Sequence, residues 1–123
     1  MPDGALLRSD GRPSSIARGD VLVCRVGASA RRDVKRVVGL PGESVAWDGQ
    51  GRIWVNAQRL EEPYAGLGPA VPGDEEVRQV CLGADEYFVA GDHRLHSRDS
   101  RHDGPVPRAR LLARVRAIRP VQS

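Results

Sequence analysis

The sequence predicts an all-β protein of mainly antiparallel strands, arranged as a sandwich or a partly open barrel. Its apolar residues fall in short runs of a strand's length, which are too short for most helices. Turn-forming residues separate these runs, since the 123 residues include 14 glycines and 9 prolines. A chain of this length forms one domain with a modest core.

The first half of the chain contains four predicted strands. Each is bounded by turns or loops that contain glycine: residues 21–26, 33–38, 43–47 and 52–55. The turn at 48–51 is short enough to close a hairpin between the last two. Residues 1–18 are polar and irregular, and the turn Gly19-Asp20 separates them from the first strand.

The second half opens with a long connection at 56–74, rich in proline and glycine, which we expect to be the most variable region. Three further strands are predicted there: residues 77–81, 86–90 and 115–118. Residues 108–114 follow a proline and are predicted to form one or two helical turns.

The charge and the cysteines exclude several classes of protein. A net charge of +3, from 19 basic and 16 acidic residues, is too mild to indicate a nucleic-acid partner, and no aromatic platform accompanies it. Cys24 and Cys81 lie far apart without a C-x-x-C spacing, so a zinc site is not expected. Each lies in an apolar run and is predicted to be a core residue; a disulfide between them is left open.

Membrane and secretion signals are missing from the sequence. No apolar segment approaches the roughly 20 residues that a membrane-spanning helix requires. The first eight residues are also too polar for a secretory signal peptide.

Lys35 is the only lysine of the chain and lies in an apolar strand, Val34-Lys35-Arg36-Val37-Val38. If its amine points into an apolar site, the charged form is disfavoured and the neutral amine can accept a proton from a serine hydroxyl. The alternative is a solvated lysine on a strand whose valines face the core. Arginine cannot replace lysine in the first role because it does not release its proton.

The stretch from Gly91 to Pro107, here called the Gly91 loop, places Ser97, Asp99 and Arg101 at alternate positions. In an extended chain these side chains would point the same way, so that Asp99 and Arg101 form a charge-assisted pair and Ser97 bonds to the lysine amine. Gly91 would permit a close backbone approach. The three histidines of the chain offer no convincing ligand set, so no metal is expected and they are predicted to be solvent-exposed.

These two stretches resemble the lysine motif and the C-terminal motif of type I signal peptidases, which are membrane-bound Ser-Lys proteases. The Gly91 loop carries the full pattern Gly-Asp-x-Arg-x-x-Ser-x-Asp-Ser-Arg-x-x-Gly-x-Val-Pro, with His93 where the family usually has asparagine. The resemblance covers about residues 19–120, the expected catalytic domain, and implies the signal peptidase fold. It implies Lys35 as general base, with supporting roles for five residues: Gly91, Asp92, Ser97, Asp99 and Arg101.

The nucleophile motif of that family, Ser-Met-x-Pro-Thr-Leu-x-x-Gly-Asp, is degraded in residues 1–18. Alignment on Gly19 puts Gly11 at the nucleophile position, and alignment on Pro13 puts Asp10 there. Ser9 is one residue out of the Pro13 register and is the tentative nucleophile; the other serines nearby, at 14 and 15, are further out of register. A loss of the motif is the alternative.

The resemblance implies a serine endopeptidase that removes signal peptides from exported preproteins by a Ser-Lys dyad, without a metal or organic cofactor. Its site would face the extracytoplasmic side of the cell membrane, through a missing or separate anchor; a complete chain without one would stay in the cytoplasm. A substrate strand would add to an exposed edge near residues 33–38. The alternatives are an inactive peptide-binding domain of the same family and a LexA-like self-cleaving protease.

Overall fold

A computed structural model describes residues 5–6, 14–27, 31–63, 65–66, 77–115 and 119–120, and most of these lie in or between antiparallel strands. The strands, in chain order, are β1 (Ala5–Leu6), β2 (Val21–Cys24), β3 (Asp33–Gly39), β4 (Ser44–Trp47), β5 (Ile53–Val55), β6 (Gln58–Arg59), β7 (Arg78–Cys81), β8 (Glu86–Ala90), β9 (Val106–Pro107), β10 (Leu111–Arg114) and β11 (Arg119–Pro120). The helical pieces are short: 3-10 turns at Arg94–His96 and Arg108–Arg110, and α1 at Ser100–Asp103. The predicted all-β class is confirmed.

Two main sheets form the fold. The first has five strands in the order β10-β2-β3-β8-β9, and the second has four in the order β6-β5-β4-β7. β1 pairs with β11 in a separate two-stranded sheet. All of these strand pairings are antiparallel.

Strand β3 contributes to two separate hydrophobic clusters. Its side chains alternate between the faces of the sheet, so Val37 packs with Leu22 and Val89 in one cluster, whereas Val38 joins the other. The second cluster fills the space between the two sheets, where the rings of Phe88 and Trp47 lie 5.0 Å apart. Full burial of such side chains stabilises the fold by about 1.5–3 kcal/mol each.

Gly39, at the end of β3, allows the second sheet to pack closely on the first. A Cβ atom there would lie 2.6 Å from Cγ2 of Val45 and 3.0 Å from Cβ of Phe88. The register between β3 and β8 also shifts between Val37 and Gly39, which is the signature of a bulge. Gly39 is therefore a packing site as well as the end of the strand.

The 56–74 connection contains a hairpin that the sequence analysis missed. Asn56 and Ala57 both have positive φ angles, 51° and 70°, and they turn β5 back onto β6. Two consecutive left-handed residues are typical of the tight type I′ hairpin turn. Asparagine tolerates this conformation, but an Asn-Ala pair is a weaker turn signal than Asn-Gly.

Other boundary predictions were partly wrong. Residues 111–114 form a strand rather than helical turns, because they pair with β2; only Arg108–Arg110 is helical. β1 lies within the stretch that was expected to be irregular, and of the predicted strand at 115–118 the structure describes only Val115.

Cys24 is a core residue as predicted, and burial raises the pKa of its thiol to about 12. Cys81, expected to be buried, is instead exposed on β7. Both thiols are free.

No helix among the described residues is long and apolar enough to cross a membrane.

Candidate active site

Lys35 lies in the middle strand of the first sheet, half-buried, opposite Leu22 of β2. It lines an open cleft of about 780 Å³, here called the Lys35 cleft. Its Nζ atom donates a hydrogen bond of 3.0 Å to Oγ of Ser97. The lysine strand and the Gly91 loop, separated by 62 residues along the chain, therefore meet at this contact.

Ser97 connects Lys35 to Asp99. Its hydroxyl donates to Oδ2 of Asp99 at 3.0 Å. Because that proton is used for Asp99, Ser97 offers only lone pairs to Lys35, and Nζ is the donor of their bond. The nitrogen lone pair of a neutral Lys35 is thus directed away from Ser97, which is the arrangement that a proton acceptor for a third group requires.

Asp99 is completely buried and receives several hydrogen bonds. Its carboxylate accepts from the backbone N–H of Gly91 at 3.0 Å and from the Arg101 guanidinium at 2.8 and 2.9 Å. Burial alone disfavours the ionised form, but the Arg101 bonds and the backbone donors outweigh it and hold the pKa of Asp99 below its usual value. Asp99 is therefore a fixed negative charge at neutral pH.

The Asp99–Arg101 pair and the Ser97–Lys35 bond are present, but the extended chain expected for them does not continue to Arg101. Asp99 has extended backbone angles and caps α1, and Arg101 lies inside that helix. The Asp99 carboxylate accepts from the backbone N–H of Arg101 as well as from its side chain. A helix N-cap, rather than strand alternation, thus brings these groups together.

Gly91 directly follows β8 and begins the Gly91 loop, at a place where a side chain would have no room. A Cβ atom there would lie 2.1 Å from Oγ of Ser97 and 3.5 Å from Nζ of Lys35. Only a residue without a side chain leaves room for Ser97 at this place.

We expect Gly91→Ala to destabilise the fold by about 1–3 kcal/mol, because the added methyl group overpacks the site and must displace Ser97. Urea unfolding measures the loss. Gly49→Ala is the control, since a Cβ there meets nothing within 4 Å. Equal stability changes in the two variants would contradict the crowding at Gly91.

Asp92 anchors the Gly91 loop to β3. Its two carboxylate oxygens accept from Nε and Nη2 of Arg36, both at 2.9 Å, and the same guanidinium donates to the carbonyl oxygen of Gly19 at 2.9 Å. Arg36 points to the opposite face of β3 from Lys35. It therefore fixes the loop and the Gly19 turn while leaving the cleft open.

The open edge of β3 is shorter than the sequence analysis expected. β8 pairs with β3 only from Arg36 onward, so residues 36–39 are covered. Within the described part of the chain, the edge at 33–35 that faces away from β2 has no strand partner. Val34 is 48% exposed there; since Val37 bonds toward β2, alternation directs the N–H and C=O of Val34 to the open side.

The tentative nucleophile Ser9, with Asp10, Gly11 and Pro13, lies outside the described residues. Ser14 and Ser15 are described and exposed, and neither lines the Lys35 cleft. Their carbonyl oxygens accept hydrogen bonds from Arg108 and Arg114, respectively.

The histidines have different environments. His93 and His96 are exposed and line the Lys35 cleft, with ring centroids 4.6 Å apart. His102 is also exposed, but its Nδ1 accepts from the backbone N–H of Asp99 at 3.3 Å and completes the cap of α1. Among the described residues, no three potential ligand side chains converge on a metal position.

Comparisons with known proteins give a family for this chain. The family "Signal peptidase, peptidase S26" matches residues 5–119. Signal peptidase I U of Bacillus subtilis is 39% identical in an alignment of 98 positions that covers 73% of this chain and 50% of that protein. Signal peptidase I of Leptolyngbya laminosa is 38% identical in an alignment of 106 positions that covers 80% of this chain and 50% of that protein.

A solved structure shows the same fold. A signal peptidase I from Enterococcus faecalis V583 superimposes with a TM-score of 0.66 at 26% identity, covering 85% of this chain and 98% of that one. The chain spans about half the length of the two curated relatives. These matches do not favour the LexA-like alternative. The resemblance noted in the sequence is confirmed, and the chain belongs to the signal peptidase family, peptidase S26.

Proposed function

We propose that this chain is a signal peptidase I-type serine endopeptidase that removes signal peptides from exported preproteins, with Lys35 as its general base. The observation that carries the proposal is the Lys35–Ser97–Asp99 chain of hydrogen bonds, which ends in an open cleft. Residues 19–120 are the catalytic domain in this proposal, and residues 1–18 carry the nucleophile. The site would act at the extracytoplasmic face of the cell membrane, as family membership suggests.

The reaction would proceed in two steps. A serine hydroxyl attacks the scissile carbonyl while neutral Lys35 accepts its proton and then gives that proton to the leaving amine. Backbone N–H groups next to the nucleophile would stabilise the oxyanion. Water then attacks the acyl-enzyme, again with Lys35 as base. Ser97 holds the amine in position throughout, because its own proton remains on the bond to Asp99.

The substrate would bind as an added strand at the open edge of β3. Val34 offers one N–H and one C=O there, next to Lys35. An extended peptide that pairs with Val34 would pass along the mouth of the Lys35 cleft. This edge supports a substrate with an extended segment before the cleavage site.

We propose Ser9 as the nucleophile. The exposed positions of Ser14 and Ser15, away from the cleft lining, favour Ser9 over both. We therefore expect Ser9→Ala to abolish cleavage of a leader peptide with an Ala-x-Ala site. Ser14→Ala and Ser15→Ala should leave the rate unchanged, because neither hydroxyl is placed in the cleft. The rates are measured by mass spectrometry of the cleaved peptide.

Two results would overturn these proposals separately. Activity that survives Ser9→Ala but disappears with Ser14→Ala or Ser15→Ala would reject Ser9 and keep the peptidase function. Failure of the folded wild-type protein to cleave any such peptide would reject the function itself.

A further inference from the structure

A buried ion pair joins the Gly91 loop to the chain segment that follows β6. Nη2 of Arg94 lies 2.6 Å from Oε2 of Glu62, and Nη1 lies 3.1 Å from Oε1. The two side chains are 0% and 3% exposed. Glu62 belongs to the 56–74 connection, where the sequence suggested variability rather than a role in the site.

Arg94 also holds the backbone of Gly91 directly. Its Nε donates to the carbonyl oxygen of Gly91 at 2.6 Å, and its Nη1 donates to the carbonyl oxygen of Gly51 at 2.9 Å. One guanidinium therefore connects the Gly91 loop, the β4–β5 turn and Glu62. Removal of any one of these acceptors would leave the Arg94 guanidinium bound to the others but no longer fixed in place.

The backbone reinforces the same connection. The N–H of Gly66 donates to the carbonyl oxygen of Asp92 at 2.7 Å, and the N–H of Arg94 donates to the carbonyl oxygen of Gly66 at 3.0 Å. Gly66 and His93 thus form a parallel bridge. Glu62 thus contacts the loop with its side chain, and Gly66 contacts it with its main chain.

Gly91 is the residue whose position sets the Lys35–Ser97 contact. Its N–H donates to Asp99 and its C=O accepts from Arg94, so both polar groups of this backbone residue are held. A Cβ on Gly91 would lie 2.1 Å from Oγ of Ser97, so even a small shift of this backbone alters the space that Ser97 occupies beside Lys35.

We infer that Arg94 and Glu62 are positioning residues for the general base: they hold the Gly91 backbone so that Ser97 meets Lys35 at hydrogen-bond distance. The inference rests on the proposed function, because it assigns the pair to that same site. The stability of the fold does not by itself explain the presence of this ion pair. Well-packed apolar residues in place of a buried ion pair often give a fold that is equally stable or more stable.

The sole lysine of the chain allows a direct test that needs no catalysis. Lysine labelled with carbon-13 at the ε position gives a single ε-methylene NMR signal, from Lys35. We expect Glu62→Gln and Arg94→Gln, neither of which adds a second lysine, to move this signal, because the Ser97 contact changes. In the cleavage assay, Glu62→Gln should lower kcat about 10- to 100-fold with KM nearly unchanged, since misplacement by about 1 Å has effects of this size.

Glu43→Gln is the matched control. Glu43 accepts from Arg18 with both oxygens at 2.7 Å, in the same bidentate geometry but at the end of β3 remote from Lys35. This variant should leave the Lys35 signal and kcat as in the wild type. If Arg94→Gln does not fold, Glu62→Gln, which keeps the shape of the side chain, carries the test.

The outcomes separate the two proposals. A Lys35 signal that is unchanged in folded Glu62→Gln would overturn the positioning role, whatever the activity. A signal that moves in Glu62→Gln but not in Glu43→Gln would support it even if the wild type cleaved no peptide, and that lack of cleavage would reject only the peptidase function.

Discussion

Replacing Lys35 with alanine is expected to lower kcat for signal-peptide cleavage by about 100- to 10,000-fold, the usual contribution of a general base. The loss should fall on kcat rather than on KM, because the Val34 edge that would bind substrate is unchanged. The measurement is steady-state cleavage of a leader peptide with an Ala-x-Ala site.

Lys35→Arg distinguishes a base from a simple positive charge. Arginine keeps the charge beside Ser97 but does not release its proton at working pH. If Lys35 acts as a base, the arginine variant should be as inactive as the alanine variant. Retention of activity in Lys35→Arg would mean that the charge alone is needed and would contradict the proposed mechanism.

Asp99→Ala should produce the largest loss of stability, about 3–5 kcal/mol, because it leaves the Arg101 guanidinium largely buried without its partner. The same change removes the N-cap of α1 and the acceptor for Gly91 and Ser97. Urea unfolding at neutral pH measures this effect. Asp103→Ala is the control, since its partner Arg98 is 74% exposed and the pair is worth little.

The stability that Asp99 contributes should depend on pH. Its folded pKa lies below the value of about 4 for an unfolded aspartate, so the carboxylate stabilises the fold above pH 4. This contribution is lost as the pH falls through the folded pKa. The wild type and Asp99→Ala should therefore converge in stability at the acid end of a urea–pH series. A gap that persists in strong acid would show that packing, not charge, dominates at this position.

The two faces of β3 follow from the sequence, because an extended chain directs successive side chains to opposite sides. On β3, the strict alternation of an extended chain is enough to separate the face of Lys35 and Val37 from that of Arg36 and Val38. The spacing of Ser97, Asp99 and Arg101 predicted contacts among these three residues that the structure contains, but through the wrong local structure at Arg101. Both an extended chain and a helix cap allow neighbours two apart to share contacts.

The Arg94–Glu62 pair could not be read from the sequence. Arg94 and Glu62 are separated by 32 residues, and no local pattern links a glutamate in a proline-rich connection to an arginine in a distant motif. The exposure of Cys81 was missed for a similar reason, because its apolar neighbours do not reveal that β7 pairs, among the described strands, with β4 alone.

The participation of β3 in both hydrophobic clusters has a consequence for local opening of the molecule. A strand that packs on one core can detach while the rest remains folded, at a free-energy cost far below that of global unfolding. Detachment of β3 would expose Val37 and Val38 and disrupt both cores at once. Lys35 therefore lies on a segment whose opening is nearly equivalent to complete unfolding, and its backbone keeps its place for almost the whole lifetime of the native state.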